Sequence, residues 1–454
     1  MPARRFLGVI RLQKSRAKIE TLRDAYILNP YPQQAAISIR AMEAMGRNLF
    51  EFFDGKTVEI EGILSGGVIY NARLAESGEA VHDVRIAPES KDRFAVEIEQ
   101  HFQKNSSELA AKLNDIGIRS VSALYHRIRD DKREVGVFSR YLKVREERIK
   151  EFLTALEQDA SSQALIRSSP RRPVKGGVNL KALAEVKGVP VQKKAPSAPP
   201  KFPASAITPG LPSRVDLTVH VTSVKDQGMR GTCVAHAAAA CLEAELIKTG
   251  KSPKKLDLSE QYLYWACKNI DGSPKSEGTF IEYAVEVLVN GVAKKKLAGG
   301  VCTNKDWPYN KLPVSSNESQ DPPPAQALKA FKAGKQLRAV SYTRLKHNSI
   351  KALKSALAAG HCVGLSVYTY HFWTNDFAWR DGIISLPLEI EPDGAHAICL
   401  VGYRDDDATH SEGYFIFKNS WDMLWGFGRT DPGYGSLPYR YVLKEAIEAF
   451  SLGV

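Results

Sequence analysis

Apolar residues recur at helical spacing over residues 31–54 (YPQQAAISIRAMEAMGRNLFEFFD), which predicts a helix there. Residues 57–73 (TVEIEGILSGGVIYNAR) instead form two β-type runs around Ser65-Gly66-Gly67, the pattern of a hairpin. Residues 1–95 therefore read as a small α+β unit with no assigned function. The helical period returns over 96–162, where LAAKLNDIGIRSVSALYHRI places a Gly117-Ile118 break between two amphipathic stretches. Residues 134–157 add a further amphipathic helix.

The break at Gly117-Ile118 resembles a helix-hairpin-helix. Such modules bind DNA in some proteins and pack against protein in others, and the pattern fits both uses. Over 163–212 the composition changes sharply. Prolines (Pro170, Pro173, Pro190, Pro196, Pro199, Pro200, Pro203, Pro209, Pro212) alternate with Arg171, Arg172, Lys175, Lys193, Lys194 and Lys201. Few residues there build a core, so a basic, mostly extended and solvated linker is expected.

Residues 213–454 regain a globular pattern. In SVKDQGMRGTCVAHAAAACLEAELIKTG, strong helix formers follow Cys233 and stop at Lys248-Thr249-Gly250, with Thr232 placed to cap the start. Cys233 thus falls in the first turn, where unsatisfied N–H groups and the helix dipole favour a thiolate. Gln227 lies six residues earlier, and its amide, with the Cys233 N–H, is placed to meet an oxyanion. By itself a cysteine at a helix start is more often a small buried hydrophobe. Two later segments change that balance. Residues 394–403 read as a strand with His396 near its start, and 413–428 as a strand ending at Asn419-Ser420-Trp421. A thiol nucleophile needs an imidazole to take its proton, and the imidazole needs an acceptor to fix its tautomer, which an Asn carbonyl supplies.

The chain has 454 residues, which suggests two or three domains, and its 43% hydrophobic and 25% charged content is ordinary for a globular protein. No run approaches the ~18 apolar residues of a membrane span. The formal charge of +12 suits nucleic acid, anionic membrane or acidic protein partners, while the favoured reading is a basic soluble protein with a basic tail or linker. All six cysteines (Cys233, Cys241, Cys267, Cys302, Cys362, Cys399) lie in the second half, and none forms a CxxC pair, so neither metal nor cofactor is expected. The N-terminus lacks an apolar leader, which points to a reducing cytoplasm.

Four segments in order give the second half a family resemblance. QGMRGTC at 227–233, LSEQYLYWAC at 258–267, GAHAICLVGY at 394–403 and NSWDMLWG at 419–426 resemble the papain family of cysteine peptidases over residues 213–454. The resemblance implies a two-lobed α+β fold, a helical lobe beside a β-barrel-like lobe. It assigns Cys233 as nucleophile, His396 as base and then acid, Asn419 as the group orienting His396, and Gln227 as the oxyanion donor. It also places Trp421 over the His–Asn bond at the substrate-binding site and Gly278 where a family glycine pairs with substrate backbone. His396 and Asn419 follow Cys233 by 163 and 186 residues, against roughly 130–150 in the family, so insertions are implied, with 305–345 a candidate place. Arg230 stands where the family has a cysteine, Val234 where it has tryptophan, and Asp422 where it has glycine; the ending GYGSLPYRYV resembles bacterial members. His236 shares the nucleophile's helix and is expected to pack or bond locally. Tyr262, Tyr264 and Trp265, at helical spacing, read as core.

The implied function is a cysteine endopeptidase acting on protein or peptide substrates through an acyl-enzyme. The front half shows no match to the family's inhibitory prosegment. It is expected to recruit a protein partner or nucleic acid, or to control access to the cleft. The alternatives are an inactive papain-like binding module or scaffold, and a transferase or deamidase using the same thioester chemistry.

Overall fold

A computed structural model describes five strands between residues 4 and 74, positions 98 and 102, residues 106–158 except 119, residues 174 and 176–178, and residues 210–454 except 254, 389, 406–411, 427, 428 and 430. The first five strands are β1 (Arg4–Gln13), β2 (Ala25–Pro30), β3 (Ile37–Ala41), β4 (Thr57–Ser65) and β5 (Val68–Leu74). They close a barrel in the order β1-β2-β3-β5-β4, with β1 antiparallel to β2 and β4 and with β3 parallel to β5. β4 and β5 pair across Gly66-Gly67 as a hairpin. The helix expected over 31–54 is corrected at β3. Locally Ile37-Ser38-Ile39-Arg40 alternates apolar and polar, a strand period that the longer helical count obscured. The rest of that segment lies outside the described residues. Among the described residues, the first 74 hold these five strands.

Four helices follow: α1 (Ser106–Asp115), α2 (Val121–Arg129), α3 (Arg133–Leu142) and α4 (Glu146–Gln158). Gly117, at φ +82°, turns the chain between α1 and α2, and the Ser120 hydroxyl caps α2 by accepting from Ala123 N. The buried faces of these helices, through Leu113, Ile116, Leu124, Phe138 and Phe152, belong to the same apolar core as the C-terminal sheet. The turn itself is committed to protein. Ile116 O accepts from Leu386 N at 3.0 Å. The buried Arg127 guanidinium donates to Glu134 Oε1 and Ser385 Oγ, each at 2.6 Å, and lies 3.7 Å from the Phe372 ring centroid. Of the two uses open to the helix-hairpin-helix pattern, this turn is put to packing.

The C-terminal half has two lobes. One is helical: α5 (Cys233–Lys248), α6 (Glu260–Lys268) and α7 (Ile281–Val289). The other is an antiparallel sheet of β6 (Arg214–Asp216), β7 (Ser341–Arg344), β8 (Val363–Thr369), β9 (Gly394–Asp405), β10 (Gly413–Lys418), β11 (Tyr434–Pro438) and β12 (Ala446–Gly453). Its order is β11-β10-β9-β8-β12-β7, with β6 also paired to β9. α5 is buried from Cys233 through Leu246 because its alanine-rich sequence is apolar all round and lets neighbours approach closely. It packs against α6 and α7 on one side and β9 on the other. The N-terminus of α5 and the start of β9 therefore meet where the lobes join.

Candidate active site

That junction brings Cys233, His396, Asn419 and Gln227 together. Cys233 opens α5, and its sulfur lies 3.3 Å from the amide nitrogen of Ala397, the residue after His396 on β9. His396 Nε2 lies 2.8 Å from Asn419 Oδ1, just beyond β10. The same oxygen accepts the Ser420 backbone N–H at 2.8 Å. An atom that takes a backbone N–H is an acceptor, so Nε2 must carry the imidazole proton toward Asn419. In neutral imidazole Nδ1 then keeps its lone pair, and this buried Nδ1 has no hydrogen-bond partner. Asn419 thus selects the tautomer that leaves the Nδ1 lone pair unengaged.

Trp421 covers this pair. Its ring stacks on the imidazole at 4.4 Å and 27°, and it is itself buried, with Trp373 edge-on to both rings. Its contact is thus with the imidazole. Gln227 is fully buried and held from both ends: its Nε2 donates to Arg230 O at 2.8 Å and its Oε1 accepts from Ser420 Oγ at 2.7 Å. Asp422, which replaces glycine, still adopts the left-handed conformation at φ +68°, and its own carboxylate accepts the Met423 N–H. The turn after Asn419 is kept despite the substitution.

Gly278 is the residue that the resemblance places against substrate backbone. Its N–H donates to Tyr264 Oη and its carbonyl accepts from Lys268 Nζ, so both backbone groups are already engaged. One residue on, Thr279 N donates to Gly177 O at 3.0 Å, and Val178 bridges Thr279 in parallel. Gly177 and Val178 belong to the segment expected to be a solvated linker, yet both are buried. A Cβ on Gly177 would overlap the Gly231 carbonyl, and one on Gly176 the Ala395 carbonyl, so only glycine fits between the lobes here. Sequence offered one signal for this contact, the Gly176-Gly177 pair inside a proline-rich basic stretch.

This occupant changes the electrostatics expected of Cys233. The thiol is pushed up to about 12 by burial, while the backbone N–H groups of Ala397, Gly177 and Val234 pull it part of the way back. The low pKa expected of Cys233 at the helix N-terminus is therefore reversed with the cleft covered, because desolvation outweighs the backbone N–H groups. His396 is held down to about 4, again by burial, with the Asn419 bond opposing. Burial thus favours the neutral form of each group.

Thr232 does not cap α5: its hydroxyl bonds Tyr309 Oη at 2.6 Å. His236 accounts for itself locally, with Nδ1 donating to Thr232 O at 3.0 Å and the ring edge-on to Tyr309. Arg230 was noted in the sequence only as a missing cysteine. It is buried and donates to Gln261 Oε1, Asn310 O and Glu318 O, tying the 305–321 loop to the nucleophile turn. Among the described residues no cluster of side chains is arranged to hold a metal ion, and no helix is long and apolar enough to cross a membrane.

Residues 211–436 match the family model described as papain family cysteine protease. An uncharacterized peptidase C1-like protein of Acanthamoeba polyphaga mimivirus is 26% identical over 229 residues, 48% of this chain and 65% of that protein. A cathepsin L-like peptidase of Aedes aegypti is 28% identical over 47% of this chain and 54% of its own length. The chain thus spans less than two-thirds of the length of these curated relatives. Among solved structures, xylellain, a cysteine protease from Xylella fastidiosa, is 25% identical, with 63% of this chain and 98% of that one covered at a TM-score of 0.46.

Proposed function

Because residues 211–436 form a papain-family cysteine protease domain, we propose that the chain is a cysteine endopeptidase working through Cys233, His396 and Asn419, and that its own residues 176–178 keep it latent. The observation that carries the reading is the tautomer. Asn419 Oδ1, fixed as an acceptor by Ser420 N, turns the free lone pair of His396 Nδ1 away from itself.

With a peptide in the cleft, Nδ1 takes the Cys233 proton and the sulfur adds to the scissile carbonyl carbon. The Gln227 side-chain amide and the Cys233 N–H stabilise the oxyanion, Gln227 being fixed for this by Ser420. The imidazolium returns its proton to the leaving amine, and a thioester to Cys233 remains. Water, deprotonated by the same imidazole, then hydrolyses it. Protein or peptide is the substrate; water as the second nucleophile separates this from a transferase. Trp421 keeps bulk water off the His396–Asn419 bond.

The front half contributes regulation in this reading. Helices α1–α4 are docked on the sheet lobe, and the chain after them returns to the cleft at residues 174 and 176–178. The six cysteines, none in a disulfide, suit the cytoplasm as the working compartment.

The test is hydrolysis of a peptide library by the full chain and by Cys233→Ala, together with mass-spectrometric mapping of a thiol-directed epoxide. The expected result is cleavage and labelling that both vanish in the variant. A folded wild type that neither cleaves nor labels, even after the 174–178 segment is released by substitution, would overturn it.

A further inference from the structure

Three cysteines that this chemistry does not use meet behind the nucleophile. Cys241 lies two turns along α5 from Cys233, Cys399 lies three residues along β9 from His396, and Cys362 immediately precedes β8. All three are buried and unpaired. The sulfurs of Cys241 and Cys399 are 3.5 Å apart, although the two residues stand 158 positions apart in the chain. They face each other across the seam between the lobes, from the helix bearing the proposed nucleophile to the strand bearing its base.

We propose that Cys241 and Cys399 are an oxidation site, at which a peroxide-class oxidant forms a disulfide that staples the nucleophile helix to the histidine strand. The order of events follows from the surroundings. Cys399 shares a thiol–thiol contact with Cys241 and lies near Cys362 and Lys418, neighbours that pull its pKa down against the burial that pushes it up. It also lines a small pocket with Lys418, Glu243, Glu260 and Asn419, with room for about one water-sized molecule.

The Cys399 thiolate attacks one peroxide oxygen. The O–O bond breaks, Cys399 becomes a sulfenic acid, and the departing hydroxide takes a proton to leave as water. The Cys241 sulfur then attacks the Cys399 sulfur, the S–O bond breaks, and the second oxygen leaves as water with the Cys241 proton. Two thiols are oxidised and one peroxide is reduced to two waters. Contraction from 3.5 Å to the ~2.05 Å of a disulfide needs side-chain rotation and a small approach of helix and strand. Because the bridge would close a loop of this length and tie the two lobes together, it should resist unfolding.

The experiment uses the full chain carrying Cys233→Ser, which removes the nucleophile as a competing target. It is exposed to hydrogen peroxide, blocked with an alkylating agent under denaturing conditions, and mapped by peptide mass spectrometry. The expected result is the loss of two hydrogens from the intact mass, a linked peptide joining Cys241 to Cys399, and a rise in Tm that dithiothreitol reverses. Added Cys362→Ala should keep the link. Added Cys241→Ala should abolish it and leave Cys399 trapped by a sulfenic-acid reagent. A link joining Cys362 to Cys399, or no link in protein that circular dichroism shows to be folded, overturns the proposal. Mapping of the Cys233→Ser chain decides the matter alone should Cys241→Ala not fold. The readout is mass and stability, so it stands apart from the peptidase reading: failure of either leaves the other intact.

Discussion

Replacing Gly177 with valine should unlock the cleft. In the closed arrangement a Cβ at this position coincides with the carbonyl and Cα of Gly231, backbone atoms that cannot rotate aside. The segment must therefore leave, and what it forfeits sets the size of the effect. The Thr279 N–H to Gly177 O bond contributes about 1 kcal/mol net. Val178, 7% exposed, contributes about 2 kcal/mol through burial. Together these amount to ~3 kcal/mol, or about two powers of ten in the ratio of closed to open chains. Opening also returns the Cys233 sulfur to solvent and removes the desolvation that holds it up at about 12. The assay is the second-order rate of Cys233 alkylation in full-length Gly177→Val against wild type near neutral pH, with hydrolysis of a fluorogenic peptide measured alongside. Both rates should rise by up to about a hundredfold. Equal alkylation rates, in proteins of matching circular dichroism, would refute the claim that this segment covers the nucleophile.

Other substitutions separate the remaining parts. Gln227→Ala removes the proposed side-chain oxyanion donor and should lower kcat by roughly 10²–10³ with little change in KM; a selective rise in KM would argue against that role. Arg127→Met leaves the buried Glu134 carboxylate without its ion pair and should destabilise the chain by about 3–5 kcal/mol, read from the urea midpoint. A loss under ~1 kcal/mol would mean that the docking of α1–α4 does not depend on this pair. Acid should weaken the fold through two buried imidazoles, His236 held down to about 3 and His396 to about 4. Free histidine titrates near 6.5, so below that pH the unfolded chain binds protons that the native state cannot; stability is full above about pH 6.5 and falls as pH drops toward 4. At pH near 5 the loss is about 2 kcal/mol for each imidazole, and His236→Gln should flatten the slope of urea midpoint against pH; an unchanged slope would contradict the assignment.

The site was legible in the sequence where local chemistry and order suffice. Cys233 after two glycines at a helix start, His396 early in an apolar strand and Asn419 at the end of the next are each read from short-range pattern; in the structure the Cys233 sulfur meets Ala397 N, beside His396, whose Nε2 bonds Asn419 Oδ1. The hairpin at Ser65-Gly66-Gly67 and the break at Gly117-Ile118 were readable for the same reason: their signals lie within a few residues. The helix read over 31–54 failed at Ile37–Ala41 because a long window averaged away a five-residue alternation.

What the sequence could not determine depends on contacts between distant segments. Whether Cys233 is thiolate or thiol is set by desolvation, which requires knowing that Gly177 lies over it. Whether the Gly117 turn meets nucleic acid or protein is set by residues more than 250 positions away, at Ser385 and Leu386. Likewise, Cys241 and Cys399 are two cysteines in a list until a helix and a strand place their sulfurs 3.5 Å apart. Residue type and local period are short-range properties carried by the chain itself. Burial and the pairing of remote groups arise only when the lobes close on one another, and here they decide how deeply Cys233 is buried and which sulfurs meet behind it.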